Sequence, residues 1–114
     1  MDNIVREKSY RFAVRIVNLY KYLRFEKKEF DMSRQILKAG TSIGANIAES
    51  EHAQSRPDFL TKLNIALKEA AETDYWLRLL HETNYIDQKS YDSIIAECRE
   101  IESLLASIVK TVKQ

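Results

Sequence analysis

The feature that most narrows the folds open to this 114-residue chain is its near-lack of chain breakers, with two Gly and one Pro in the whole sequence. An all-β fold needs turn residues every ten positions or so, and here the stretches able to turn the chain are confined to about three places. Long helices are the remaining solution. The length suits one hydrophobic core and leaves no room for a second, so residues 1–114 read as a single domain.

Apolar spacing predicts a first helix over residues 3–25. Val5, Phe12, Ile16, Leu19 and Leu23 form one stripe, and Ala13, Val17 and Tyr20 widen it to the face of a bundle helix. The polar stretch from Glu26 to Glu29 reads as the first loop. A second helix is expected over 32–51, opened by Asp31 or Ser33 as cap, with Ile36, Leu37, Gly40, Ile43, Ile47 and Ala48 facing inward. Two glycines inside a helix cost about 1 kcal/mol each relative to Ala. Gly40 and Gly44 therefore predict a side on which another backbone comes close.

Ser55, Pro57 and Asp58 read as cap, first-turn proline and first-turn acid of a third helix over 56–83. Phe59, Leu63, Ala66, Ala70, Leu77 and Leu80 give its inward stripe. A fourth helix over 88–112, capped by Asp87 or Ser90, carries Tyr91, Ile94, Ile95, Cys98, Ile101, Leu105, Ile108 and Val112. Short connections make successive helices antiparallel neighbours. The fold class expected is all-α, an up-down-up-down four-helix bundle.

Charge and cysteine usage limit function. Net charge is +1, yet residues 1–40 hold 10 Lys/Arg against 5 Asp/Glu and residues 41–114 hold 8 against 12, so the amino-terminal part is the basic end. The lone Cys98 permits no intrachain disulfide, which favours a reducing compartment. Asp2, Arg6, Glu7, Lys8, Arg11 and Arg15 break up any signal-peptide pattern, and no apolar run approaches the length of about 18 that spans a bilayer. A cytoplasmic location and no membrane partner are the expectations.

Four constellations could carry function. Glu49 and His52 form an E-x-x-H pair of the kind dimetal bundles use; the second pair such a site needs is missing, because Arg78 stands three residues before His81, and no metal or other cofactor is expected. Ser42, Asn46, Glu49, Glu69, Glu72 and Thr73 fall on helices two and three at spacings that could meet as a buried polar layer fixing register. No nucleophile, glycine loop or oxyanion donor accompanies them, so the chain is expected not to be an enzyme. Lys8, Arg11 and Arg15 lie one turn apart on helix one and continue into Lys21, Arg24, Lys27 and Lys28: either a solvated charged face, or a row that neutralises phosphates once an oligomer repeats it. Tyr75, Trp76 and Leu79 crowd the far end of helix three, either capping the core or forming a subunit interface.

The segment Thr41 to Ser50, with Ser42, Ile43, Asn46, Ile47, Ala48 and Glu49 matching an S-I-x-x-N-I-A-E pattern, resembles a bacterial four-helix bundle family first named for ribosomal-RNA intervening-sequence proteins. Phe59, the run from Lys62 to Ala70, Glu72, Thr73, Tyr75, Trp76 and Leu77 extend that resemblance. Many members have Gly where this chain has Ser50. The resemblance implies a homopentameric ring and an unsettled biochemical role. The chain is also similar to the accessory bundle proteins of diversity-generating retroelements, which implies RNA or DNA as partner. The functional expectation is a non-enzymatic nucleic-acid-binding or scaffold protein acting through Lys8, Arg11, Arg15, Lys21 and Arg24; the alternative is an adaptor whose basic face meets an acidic protein.

Overall fold

The computed structural model of the chain describes residues 3–113. Four helices and no strand occur among them: α1 Asn3–Lys21, α2 Met32–Ser50, α3 Arg56–Glu82 and α4 Gln88–Lys113. Each helix packs on its chain neighbours, most extensively α2 on α3, and the much thinner α1–α4 contact closes the ring. The result is a rod of 44 × 21 × 19 Å, and the α1–α2 and α3–α4 connections share one end of it.

The core is made by the stripes that periodicity marks out. Phe12, Ile16, Leu23, Ile36, Ile43, Ile47, Leu63, Leu77, Leu80, Ile101 and Leu105 are all almost completely enclosed. Small residues let α2 and α3 lie close to their neighbours, with Ala39 and Gly40 on one and Ala66 and Ala70 on the other buried. One inward assignment needs correction, Ala48, which is exposed; on α4 Val109 is buried, and its neighbour Ile108 is partly covered and packs against the core. A small rotation of the apolar stripe, at 3.6 residues per turn, moves burial to an adjacent position. The two glycines split their roles. A Cβ on Gly44 would lie 3.3 Å from the backbone oxygen of Ser9, so α1 approaches by its backbone there. At Gly40 the neighbour is a side chain, since an added Cβ would fall 2.7 Å from Ile16 Cγ1.

The helix ends show the local chemistry. Ser55 caps α3, its hydroxyl accepting from the Asp58 N–H at 3.1 Å, and the Asp87 carboxylate accepts from the Ser90 N–H at 2.7 Å at the start of α4. The α2 start differs from expectation. Asp31 makes no side-chain cap; the Glu29 carboxylate instead accepts from the N–H groups of Asp31, Met32 and Ser33 at 3.2, 3.1 and 2.7 Å. Three amides without intrahelical partners thus share one buried acid, which the helix dipole also favours. Helix α1 does not stop cleanly either. It widens into a π-helical turn, Tyr22–Glu26, closed by the Lys27 N–H on the Tyr22 carbonyl at 3.2 Å. Lys28 then adopts φ 56°, a left-handed conformation uncommon for a residue with a side chain.

Candidate nucleic-acid interface

The basic row of α1 divides in two. Lys8 pairs with Glu100 at 3.2 Å and Arg15 with Glu97 at 3.0 Å, both acids coming from α4 across the thin α1–α4 contact. Arg15 also donates to the Ser93 hydroxyl at 3.1 Å, and Arg11 pairs with Glu7 one turn back at 2.6 Å. Exposed pairs of this kind stabilise by at most about 1 kcal/mol, yet they place a carboxylate beside each cation, and a phosphate approaching there meets both charges. Lys8 and Arg15 are therefore tied to α4, and Arg11 to its own helix.

The distal end of the row is different. Among the described residues no carboxylate lies within ion-pair distance of Lys21, Arg24, Lys27 or Lys28. These four stand around the π-helical turn and the loop after it. Of the acids among them, Glu29 is turned inward to cap α2 and only Glu26 faces solvent. Aromatic rings are interleaved with the cations: Tyr22, Phe25 and Phe30 are 41%, 61% and 44% exposed. The Arg24 guanidinium sits 5.2 Å from the Phe30 ring centre, and the Lys27 ammonium 5.8 Å from that of Tyr22, both within cation–π range. Sequence inspection marked the cations but gave the aromatic rings beside them no role. The π turn keeps Leu23 buried while Tyr22 and Phe25 stay outside.

Tyr22 also borders a groove of about 390 Å³ between α1 and the start of α4, lined by Arg15, Asn18, Leu19, Ile86, Asp87 and Ser90 among others. Backbone and side-chain hydrogen bonds from Ser90 hold the Asp87 carboxyl below its usual pKa, so the groove carries a firm negative charge beside the cationic corner.

The proposed polar layer between α2 and α3 does not form. Asn46 donates to the Ser42 carbonyl at 2.8 Å and Ser42 to that of Lys38 at 2.6 Å, both within α2. Thr73, the one fully buried member, donates to the Glu69 carbonyl within α3. Glu49 is exposed and pairs with Lys62 at 3.3 Å, and Glu72 is exposed. Partial burial first, and then the Glu72 charge, raise the Glu69 pKa. The α2–α3 seam is filled by Ile43, Ile47, Leu63, Ala66 and Ala70, which leaves the polar set along its flank. His52 lies exposed beyond the end of α2.

Sequence reading missed a cluster at the α3–α4 seam, where ligand atoms of Asp74, Cys98 and Glu102 lie within 4.8 Å of one another. Burial would raise the Asp74 carboxyl, but hydrogen bonds and charge from Arg99 and Arg78 outweigh it and hold the pKa low. Burial, reinforced by Asp74, raises Glu102. The Cys98 thiol, pushed up first by burial and then by Glu102, stays protonated. Two guanidiniums already occupy Asp74 and the thiolate form is suppressed, so the cluster works as an ion-pair clasp between helices. The Glu102 position four residues after Cys98 was the one visible sign.

On α3, Trp76 and Leu79 are half-buried, Trp76 lying against the core, and Tyr75 remains 50% exposed with its ring edge on Trp76. More apolar surface is exposed on the α1–α2 side. Tyr10 and Val14 are 70% and 47% exposed, and Tyr10 borders an apolar groove of about 720 Å³ with Ala13, Gly44, Ala45 and Ala48. No helix among the described residues is long and apolar enough to cross a membrane.

Comparison with known proteins agrees with this architecture. Residues 1–107 match the family model described as 23S rRNA-intervening sequence protein. No curated protein matches the chain. Among solved structures, the chain is similar to a protein of unknown function from the S23 ribosomal protein family of Bacteroides thetaiotaomicron, at 64% identity and a TM-score of 0.94, over 96% of this chain and 97% of that one.

Proposed function

The chain belongs to the 23S rRNA-intervening sequence protein family, and from that premise we propose that it acts without catalysis, as a nucleic-acid-associated scaffold that grips phosphates with the distal cations of α1. One observation carries this reading: among the described residues Lys21, Arg24, Lys27 and Lys28 stand together without carboxylate partners, whereas the cations nearer the start of the helix are paired with acids. Unpaired cations release counterions from a phosphate backbone on binding, and that release makes affinity fall with salt. A closed homo-oligomer, a ring of five in this proposal, would repeat the corner around an axis and multiply a weak single contact. The α1–α2 face around Tyr10 and Val14 is the stronger interface candidate, and the Tyr75, Trp76 and Leu79 end of α3 the second.

Binding of mixed-sequence RNA and DNA at two salt concentrations tests the proposal. Lys21→Glu with Arg24→Glu is expected to abolish salt-sensitive binding. Arg11→Glu with Arg15→Glu is expected to weaken it far less, because those cations already have partners. Absence of any salt-sensitive binding by the unaltered protein removes the reading. The apolar groove beside Tyr10 supports a protein-binding adaptor as the competing function, which a retained protein partner in a pull-down from nuclease-treated lysate would favour.

A further inference from the structure

We propose that the α1–α2 corner selects single strands over duplexes, with Tyr22, Phe25 and Phe30 stacking on bases while Lys21, Lys27 and Lys28 hold the flanking phosphates; this rests on the nucleic-acid reading above and names its ligand class. Three observations point the same way. The rings are exposed although a packed bundle has apolar surface available to cover them, Phe25 at 61% most of all. They are interleaved with cations rather than grouped into an apolar patch. Two of the rings already hold a cation at 5.2 and 5.8 Å, so a base entering beside Phe30 meets both a ring face and the planar guanidinium of Arg24, the two surfaces on which unstacked bases rest.

The choice of strand follows from what each ligand has to offer. Bases in a duplex are stacked on their neighbours and have no face left for Phe25, whereas a single strand supplies faces and phosphates together. A membrane surface fits less well, because an interfacial helix needs a continuous apolar face. Here the exposed apolar residues of the corner are three rings with cations lying over two of them, and the exposed aliphatic side chains Ile4 and Val14 belong to earlier turns of α1. The neighbouring groove gives direction to the contact. Its Asp87 carboxylate repels phosphate but can accept from an exocyclic amine, and Asn18 and Ser90 add donors and acceptors beside it, so the groove suits a base edge and the corner suits the backbone.

The local backbone agrees with a binding role. The π turn and the left-handed Lys28 are departures from regular helix that sequences usually avoid, and together they turn these side chains out at the end of the rod.

The test is fluorescence anisotropy with a short labelled RNA strand and the same strand annealed into a duplex, each at the same two salt concentrations, beside vesicles of phosphatidylglycerol in phosphatidylcholine at the lower of the two. The strand is expected to bind more tightly than the duplex. Phe25→Ala and Phe30→Ala are each expected to weaken strand binding roughly tenfold, with the dependence on salt unchanged. Phe25→Leu keeps the apolar bulk without the aromatic face and is expected to lose as much as Phe25→Ala, which a merely structural role would not produce. Lys27→Gln with Lys28→Gln is expected to lower the salt slope by about 1–2. Equal affinity for strand and duplex, or unaltered strand binding in both phenylalanine variants, overturns the single-strand proposal while leaving nucleic-acid binding intact. Vesicle capture in preference to the strand overturns it in favour of a lipid surface, and no salt-sensitive binding to either nucleic acid overturns it together with the broader reading.

Discussion

Gly40 shows how much a single missing methyl decides in a close-packed interior. Its place on α2 faces Ile16, a β-branched side chain with no exposed surface, and any Cβ there would stand 2.7 to 3.0 Å from three of its carbons. Gly40→Ala gains up to about 1 kcal/mol in helix propensity and loses roughly 1–3 kcal/mol to overpacking. The expected outcome is a net loss of up to about 2 kcal/mol, read as a lower urea midpoint with an unchanged slope. In an Ile16→Ala background the cost of Gly40→Ala is expected to shrink, and equal costs in both backgrounds would refute the contact as its cause. Residue types alone signalled that something must come close to α2. They could not distinguish a neighbouring side chain from a neighbouring backbone, which is why Gly40 and Gly44 looked equivalent and are not.

At the scale of elements, the α1–α2 connection is held by Glu29 more than by any other residue. Its carboxylate serves three amide donors at the start of α2 and is buried in doing so. Glu29→Ala is expected to destabilise the protein by about 1–3 kcal/mol, measured by thermal unfolding, and Glu29→Gln by less, since an amide oxygen still accepts. An undiminished melting temperature in Glu29→Ala would show that solvent satisfies those amides equally well. The sequence pointed to a cap two to four residues later, because Asp and Ser are the usual caps and Glu is rarely placed so early. By contrast Ser55 was readable, since the hydroxyl, the first-turn proline and the acid three residues on form a local signal that needs no tertiary partner. The π turn had no such signal, and with it went the exposed aromatics of the candidate interface.

For the whole molecule, assembly sets how strongly the basic corner can act. Charge at the corner is small for one copy, and a scaffold gains affinity by repetition. Tyr10 borders the apolar groove between α1 and α2, Val14 stands one turn further along α1, and both are exposed. Tyr10→Glu with Val14→Glu is expected to shift the light-scattering mass from an oligomer to a single copy without lowering helicity. Trp76→Ala tests the other end of α3 and is expected to change stability more than mass, because Trp76 packs on the core. An unaltered protein that scatters as a lone copy would remove the assembly from the functional proposal.

By itself the sequence determined four helices, their approximate limits, most of their inward faces and the cap of α3, because each of those is set by residues within a few turns of one another. Tertiary structure alone decided which cations are available. Whether Lys8 and Arg15 meet solvent or acid depends on Glu100 and Glu97, which lie more than eighty positions away in the chain and reach α1 only when α4 closes the bundle. The same holds for the clasp of Asp74 with Arg99 across α3 and α4. Periodicity reports which side of a helix avoids water, and it is silent on which neighbour the opposite side will face, so charge pairing between helices waits for the fold.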